Sequence, residues 1–189
     1  MPETPRLRPA VFLDRDGTIC EEVGYLNHVN RFRMFPFAAE ALRRLNDSGY
    51  AVIVVSNQSG VARGYFPESL VQQVNQVMVR QLSEAGARVD ALYYCPHASS
   101  DNCRCRKPKT GMLERAVRDH CIDLQRSFVV GDRHGDIQLA RNARARGILV
   151  RTGYGEGEIA WHSAEWSARP DFIADDLTEA VDWILRQVR

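Results

Sequence analysis

Short unbroken apolar runs alternate along the chain with stretches whose apolar residues recur every three or four positions. The runs at residues 10–14, 51–55, 90–94, 127–130 and 147–150 predict strands buried on both faces, as parallel strands are. Helical spacing marks residues 37–48, where Ala38, Ala41, Leu42 and Leu45 share a stripe that ends at Ser48-Gly49. Pro67 opens a longer helix to about Ala85, with Leu70, Val71, Val74, Val77, Met78 and Leu82 inward. Residues 111–121, 137–146 and a segment from Thr178 onward, with Val181, Ile184, Leu185 and Val188 inward, complete the helices, and residues 172–174 predict a short edge strand. Residues 19–36 follow neither period and predict a loop over the end of the first strand.

Strand and helix alternate with short connections, so the predicted fold is α/β, a mainly parallel sheet with helices on both faces and one domain over residues 1–189. Such sheets bind ligands beyond the carboxyl ends of their strands. Three polar turns fall there: Asp14-Arg15-Asp16-Gly17, Ser56-Asn57-Gln58-Ser59 and Asp132-Arg133. Taken alone, the first is as compatible with a plain Asp/Gly turn as with a site. The topology gathers all three at one edge, which favours a site.

Composition narrows the partners. With 44% hydrophobic and 26% charged residues the balance is that of a globular chain, and a net charge of +1 gives no overall field for nucleic acid or a membrane surface. No apolar run is long enough to span a bilayer and the N-terminus carries no apolar signal core, so the expected location is the cytoplasm. The five cysteines include Cys95, Cys103 and Cys105, close together and joined by His97. Three sulfurs and an imidazole at this spacing match a closed tetrahedral zinc site of the structural kind, against the plainer reading of clustered thiols beside a surface histidine.

The polar turns supply the parts that phosphoryl transfer needs. Two carboxylates in one turn suit a nucleophile with a partner, working through an aspartyl-phosphate. Asp14, Asp16 and Asp132 offer hard oxygens for Mg²⁺. Ser56 and the amides after it can donate to phosphoryl oxygens, and Lys107 can supply a fixed positive charge. Asp136 is expected to cap the helix that follows it.

With Asp14-Arg15-Asp16-Gly17-Thr18, Ser56, Lys107-Pro108 and Gly131-Asp132 with Asp136 in this order, the chain resembles the haloacid dehalogenase (HAD) superfamily over nearly its whole length. The resemblance implies a Rossmann-like fold, with Asp14 as nucleophile, Asp16 as general acid/base whose backbone carbonyl also meets Mg²⁺, and Asp132 completing the metal site. No insertion is large enough for a cap domain. The zinc loop narrows the resemblance to the branch that holds heptose bisphosphate phosphatases and histidinol-phosphate phosphatases. Asn57–Gly64, Gly24-Tyr25 and Lys107–Leu113 are similar to the heptose side, and the five-residue spacer before Cys103 to the histidinol side. That branch implies substrate contacts from Glu22, Val23, Gly24, Tyr25, Ser56, Asn57, Gln58, Ser59, Arg106, Lys107 and Arg133. The implied reaction is removal of the C7 phosphate from a heptose 1,7-bisphosphate during heptose precursor synthesis for surface polysaccharide; histidinol phosphate or another small phosphomonoester is the alternative substrate. A zinc module without catalysis, using Arg141, Arg144 and Arg146, is a third reading; it leaves Asp14, Asp16 and Asp132 without a role. The expected state is a monomer, acting on a small phosphorylated sugar.

Overall fold

A computed structural model describes residues 7–187. Six parallel strands form one sheet in the order β3-β2-β1-β4-β5-β6: β1 (Ala10–Leu13), β2 (Ala51–Asn57), β3 (Ala91–Cys95), β4 (Phe128–Gly131), β5 (Arg146–Val150) and β6 (Phe172–Ala174). The helices between them are α1 (Ala38–Asp47), α2 (Glu68–Glu84), α3 (Gly111–His120) and α4 (His134–Ala143). A short helix, α5 (Gly155–Gly157), runs into a π-helical turn at Glu158–His162, and α6 (Leu177–Arg186) ends the described chain.

Side-chain alternation along β1 divides the core. Val11 and Leu13 point to the face covered by α1, α2 and α6, where Leu42, Met78 and Ile184 are fully buried. Ala10 and Phe12 point to the other face, against Leu113 and Ala116 of α3 and Leu139 and Ala140 of α4. Each large apolar side chain buried this way contributes about 1.5–3 kcal/mol relative to exposure, so strand and helix patterns reinforce each other. The left-handed Gly49 closes α1. Asp176 caps α6, its Oδ1 accepting from the amides of Thr178 and Glu179 at 2.7 and 3.1 Å.

The predicted elements are all present, with shifted ends. β2 runs two residues further than expected, so Ser56 and Asn57 belong to the strand and not to a turn; pairing with Tyr94 and Cys95 of β3 extends it. α4 begins at His134, three residues early, and stops at Ala143, because Arg146 already pairs with Phe128 in β5. Residues 155–162, to which the apolar pattern assigned no element, are helical. Val188 lies outside the described residues. No described helix is long and apolar enough to cross a membrane.

Strand order reverses between β1 and β4, so the loops leaving their carboxyl ends diverge and open a crevice there. Asp14 follows β1 and Asp132 follows β4, which puts both carboxylates in that crevice.

Candidate active site

The Asp14 amide donates to the Val130 carbonyl at 2.9 Å, continuing the β1–β4 ladder and bringing the two strand ends together. Beyond them, carboxylate oxygens of Asp14, Asp132 and Asp136 lie within 4.8 Å of one another, all three residues buried. Among the described residues one cation reaches the cluster. Lys107 Nζ stands 2.7 Å from Asp14 Oδ2 and 2.7 Å from Asp136 Oδ1, and donates to the Val55 carbonyl at 3.0 Å. Both carboxylate contacts are buried ion pairs.

Three carboxylates against one ammonium leave an excess of negative charge in a desolvated place. Burial, with Asp136 and Asp16 adding to it against Lys107, pushes the Asp14 carboxyl up to about 6. Burial, reinforced by Asp14 and Asp136, pushes Asp132 up to about 8. Burial alone would lower Lys107, but Asp136 and Asp14 outweigh it and hold the ammonium well above its ordinary range. Hard oxygen donors with uncompensated charge fit Mg²⁺.

A pH dependence follows. Both carboxyls titrate above the ordinary 3.8, so between about pH 4 and 8 these two positions hold more protons folded than unfolded, and their contribution to stability without metal falls as pH rises. Mg²⁺ binds the ionised carboxylates, so adding it should raise the melting temperature more at pH 8 than at pH 6. An equal rise at both pH values would contradict this account of the cluster.

Glycines set how closely the carboxylates pack. A Cβ on Gly17 (φ +75°) or on Gly153 (φ +61°) would collide with the Asp132 carboxylate, which sits between the two backbones. Thr152 Oγ1 donates to the Gly17 carbonyl at 2.6 Å and the Tyr154 amide to Asp132 Oδ2 at 2.8 Å, fastening the loop after β5 over the site.

Asp16 stands apart from the trio. Its carboxylate accepts from Arg15 Nη2 at 2.8 and 3.0 Å and from Gln58 Nε2 at 2.8 Å. Thus of the expected metal set Asp14, Asp16 and Asp132, the side chains of the first and last converge with Asp136, while the Asp16 carboxylate is held by Arg15 and Gln58 instead. Asp136 does more than cap: Oδ2 accepts from the Arg133 amide at 3.2 Å while Oδ1 faces Lys107.

Above the carboxylates opens a pocket of about 290 Å³. Ten expected contact residues line it: Glu22, Gly24, Tyr25, Ser56, Asn57, Gln58, Ser59, Arg106, Lys107 and Arg133. Val23 does not; its side chain packs on the core face of α1, α2 and α6. Asn57 faces the pocket but also clamps the Lys107 backbone, accepting from its amide at 3.0 Å and donating to its carbonyl at 3.2 Å. Ser56 Oγ accepts from Gln58 Nε2 at 2.8 Å, which leaves its own proton free to donate into the pocket. Arg63, Phe66 and Tyr154 also line the walls, and nothing in the chain's periodicity marks them. Arg133 lies over the Tyr154 ring at 3.7 Å. Among the described residues Arg63, Arg106 and Arg133 have no carboxylate partner, so the pocket mouth carries three open guanidiniums.

At the end of β3, ligand atoms of Cys95, His97, Cys103 and Cys105 gather within 4.8 Å, with the imidazole presenting Nδ1. The thiols act on one another: burial alone would raise Cys103, but the Arg106 amide and the neighbouring thiols outweigh it and bring it down to about 7, while burial raises Cys95 and Cys105. The donor set fits a closed zinc site. This loop supports the pocket through its backbone: the Cys95, Pro96 and His97 carbonyls accept from the Gln58 amide at 2.7 Å, the Ala62 amide at 3.1 Å and Arg106 Nη1 at 3.2 Å. Metal analysis should therefore find about one zinc per chain. Cys103→Ser should lose it, lower the melting temperature and raise KM about tenfold as Arg106 and Gln58 lose their support. A Cys103→Ser protein with full zinc and wild-type KM would contradict the assignment.

Residues 104–180 match the model of the HAD-hydrolase-like family. A D-glycero-D-manno-heptose-1,7-bisphosphate 7-phosphatase of Thermosynechococcus vestitus is 45% identical over 188 residues, covering 94% of this chain and 95% of the relative. The D-glycero-beta-D-manno-heptose-1,7-bisphosphate 7-phosphatase of Haemophilus ducreyi is 38% identical, with 94% and 98% covered. The crystal structure of a D,D-heptose 1,7-bisphosphate phosphatase from B. bronchiseptica, complexed with magnesium and phosphate, superposes with a TM-score of 0.87 at 30% identity, covering 95% of this chain and 99% of that one. The carboxylate crevice, the parallel sheet beneath it and these relatives together place the chain in the HAD-like hydrolases, in the family of the heptose-bisphosphate phosphatases.

Proposed function

We propose that this chain is a Mg²⁺-dependent phosphatase that hydrolyses the C7 phosphate of D-glycero-D-manno-heptose 1,7-bisphosphate. The observation that carries the chemistry is the buried Asp14–Lys107–Asp136 array at the floor of an arginine-rimmed pocket, with the Asp132 carboxylate packed close to it. The substrate rests on the relatives, whose names give that reaction.

Asp14, Asp132 and Asp136 would hold Mg²⁺, which when bound neutralises charge on the phosphoryl oxygens. Asp14 attacks phosphorus, forming the Asp14 O–P bond as the bond to the sugar oxygen breaks. Asp16 gives that oxygen its proton and the sugar leaves as an alcohol. Asp16 then takes a proton from the water that attacks the aspartyl-phosphate, which frees inorganic phosphate and Asp14. Lys107 keeps Asp14 ionised and offsets charge in both steps, and Ser56 Oγ with the Asn57 amide donates to phosphoryl oxygens. The guanidiniums of Arg106 and Arg133 suit the second phosphate of a bisphosphate, with Glu22, Gly24, Tyr25, Gln58 and Ser59 around the sugar. Cys95, His97, Cys103 and Cys105 hold structural zinc. One domain, acting as a monomer in the cytoplasm, suffices for this reading.

The test is a comparison of kcat/KM for both anomers of the heptose bisphosphate and for histidinol phosphate with Mg²⁺ present. A heptose bisphosphate should lead by at least about tenfold, the scale of one well-made charged contact. A lead for histidinol phosphate would move the chain to the alternative substrate, and no phosphate release from any of them would refute the enzyme.

A further inference from the structure

Arg15 is unusual among the charged residues. It sits between the two aspartates of the first turn, yet its side chain is only 2% exposed. By strand alternation it continues the Val11 and Leu13 face, toward α2, while Asp14 faces Lys107. There Arg15 Nη1 donates to Asn75 Oδ1 at 3.0 Å, and Asn75 is a polar residue on the otherwise apolar buried face of α2. Its other nitrogens fork onto Asp16, Nη2 at 2.8 and 3.0 Å and Nε at 3.2 Å. Gln58 completes the cage from the opposite side and also touches Ser56. A guanidinium is costly to bury, and a turn could be fastened to α2 by apolar contact alone. A planar fork fixes both the position and the plane of a carboxylate.

We infer that Arg15 and Asn75 are positioning residues that aim the Asp16 carboxylate at the leaving oxygen and keep it out of the Asp14–Asp132–Asp136 cluster. The inference rests on Asp16 being the acid/base, as proposed above. Asn75 anchors the guanidinium to a rigid helix, so the aim of Asp16 is set by α2 and not by the flexibility of its own turn.

The test separates aiming from simple support of the fold. Asn75→Leu keeps the branched shape and removes the anchor; Arg15→Lys keeps the charge and removes the fork, and serves where the first variant fails to fold. For each, kcat/KM is measured on an alkyl phosphate and on p-nitrophenyl phosphate, whose leaving group departs without a proton. Since kcat/KM covers only the steps up to release of the alcohol, it isolates proton donation from hydrolysis of the aspartyl-phosphate. Either variant should lower kcat/KM about 10–100-fold on the alkyl ester, part of the full worth of a general acid, and less than about threefold on the aryl ester. In an Asp16→Asn background the same change should add less than about twofold. Equal losses on both esters, or none on the alkyl ester, overturn the inference and leave Arg15 a structural pin. If Asp16→Asn itself affects both esters equally, the acid assignment fails and the inference with it. If the wild-type chain ignores the heptose bisphosphate but cleaves another alkyl phosphate, only the substrate is wrong and the comparison is made on that ester.

Discussion

Asp14→Asn abolishes turnover, lowering kcat/KM by at least about 10⁴-fold, as expected when a covalent nucleophile is removed and binding is left in place. The same substitution does not weaken the fold. Burial places the Asp14 carboxyl at about 6, so at pH 8 its ionised form is a cost to the metal-free protein, even with Lys107 beside it. A neutral amide at this position removes one of three crowded negative charges and leaves Lys107 paired with Asp136 alone. Thermal unfolding without Mg²⁺ at pH 8 should therefore show a melting temperature equal to or above wild type, alongside the lost activity. A variant that releases phosphate at more than about a hundredth of the wild-type rate would contradict the assignment of the nucleophile, and an inactive but unfolded one would contradict the electrostatics.

Lys107→Met should damage both properties. Methionine fills the space of the lysine stem, but it leaves Asp14 and Asp136 buried without their shared cation. Breaking a buried pair on one side costs about 3–5 kcal/mol, and here two carboxylates are stranded at once. Denaturant unfolding should read a loss on that scale in the absence of metal. Mg²⁺ should return part of it, because a bound cation faces the same carboxylates. Activity should fall about 10³-fold even with saturating Mg²⁺, the loss of one charge aimed at the transferred group. Stability and activity both near wild type would mean that Lys107 is a bystander.

The alternation of apolar runs and helical stripes made the layered fold legible, because strands buried on both faces leave no polar positions to blur the pattern. Asp14, Ser56 and Asp132 were legible for a related reason: each is a polar residue at the end of a fully apolar run, whereas Lys107 was marked by its place in the Lys107-Pro108 motif. What the pattern could not carry is contact between segments far apart in the chain. Asp136 has the spacing of a cap, and only the approach of Lys107 from a loop some thirty positions earlier gives it a second partner. Arg15 reads as a solvated charge until Asn75, sixty positions away, is seen to bury it. Val23 has the neighbours of a substrate loop, but its side chain takes the core side of that loop while Glu22 and Gly24 face the pocket. Arg63 sits in a turn without periodicity, so its place in the Asn57–Gly64 block marked it only as part of a motif and not as a pocket residue. The clustering of Cys95, His97, Cys103 and Cys105 was visible from spacing alone, yet its mechanical link to Gln58 and Ala62 runs through backbone carbonyls, which no side-chain motif records.

Everything proposed for the crevice turns on Asp14 carrying the phosphoryl group. Enzyme mixed with heptose 1,7-bisphosphate and Mg²⁺, quenched within one turnover and reduced with borohydride, converts an acyl phosphate at aspartate to homoserine, which peptide mass spectrometry locates. The account predicts homoserine at position 14 in the peptide from the β1 end, and none in Asp14→Asn; reduction at Asp16, Asp132 or Asp136, or at no carboxylate while phosphate is being released, would contradict it.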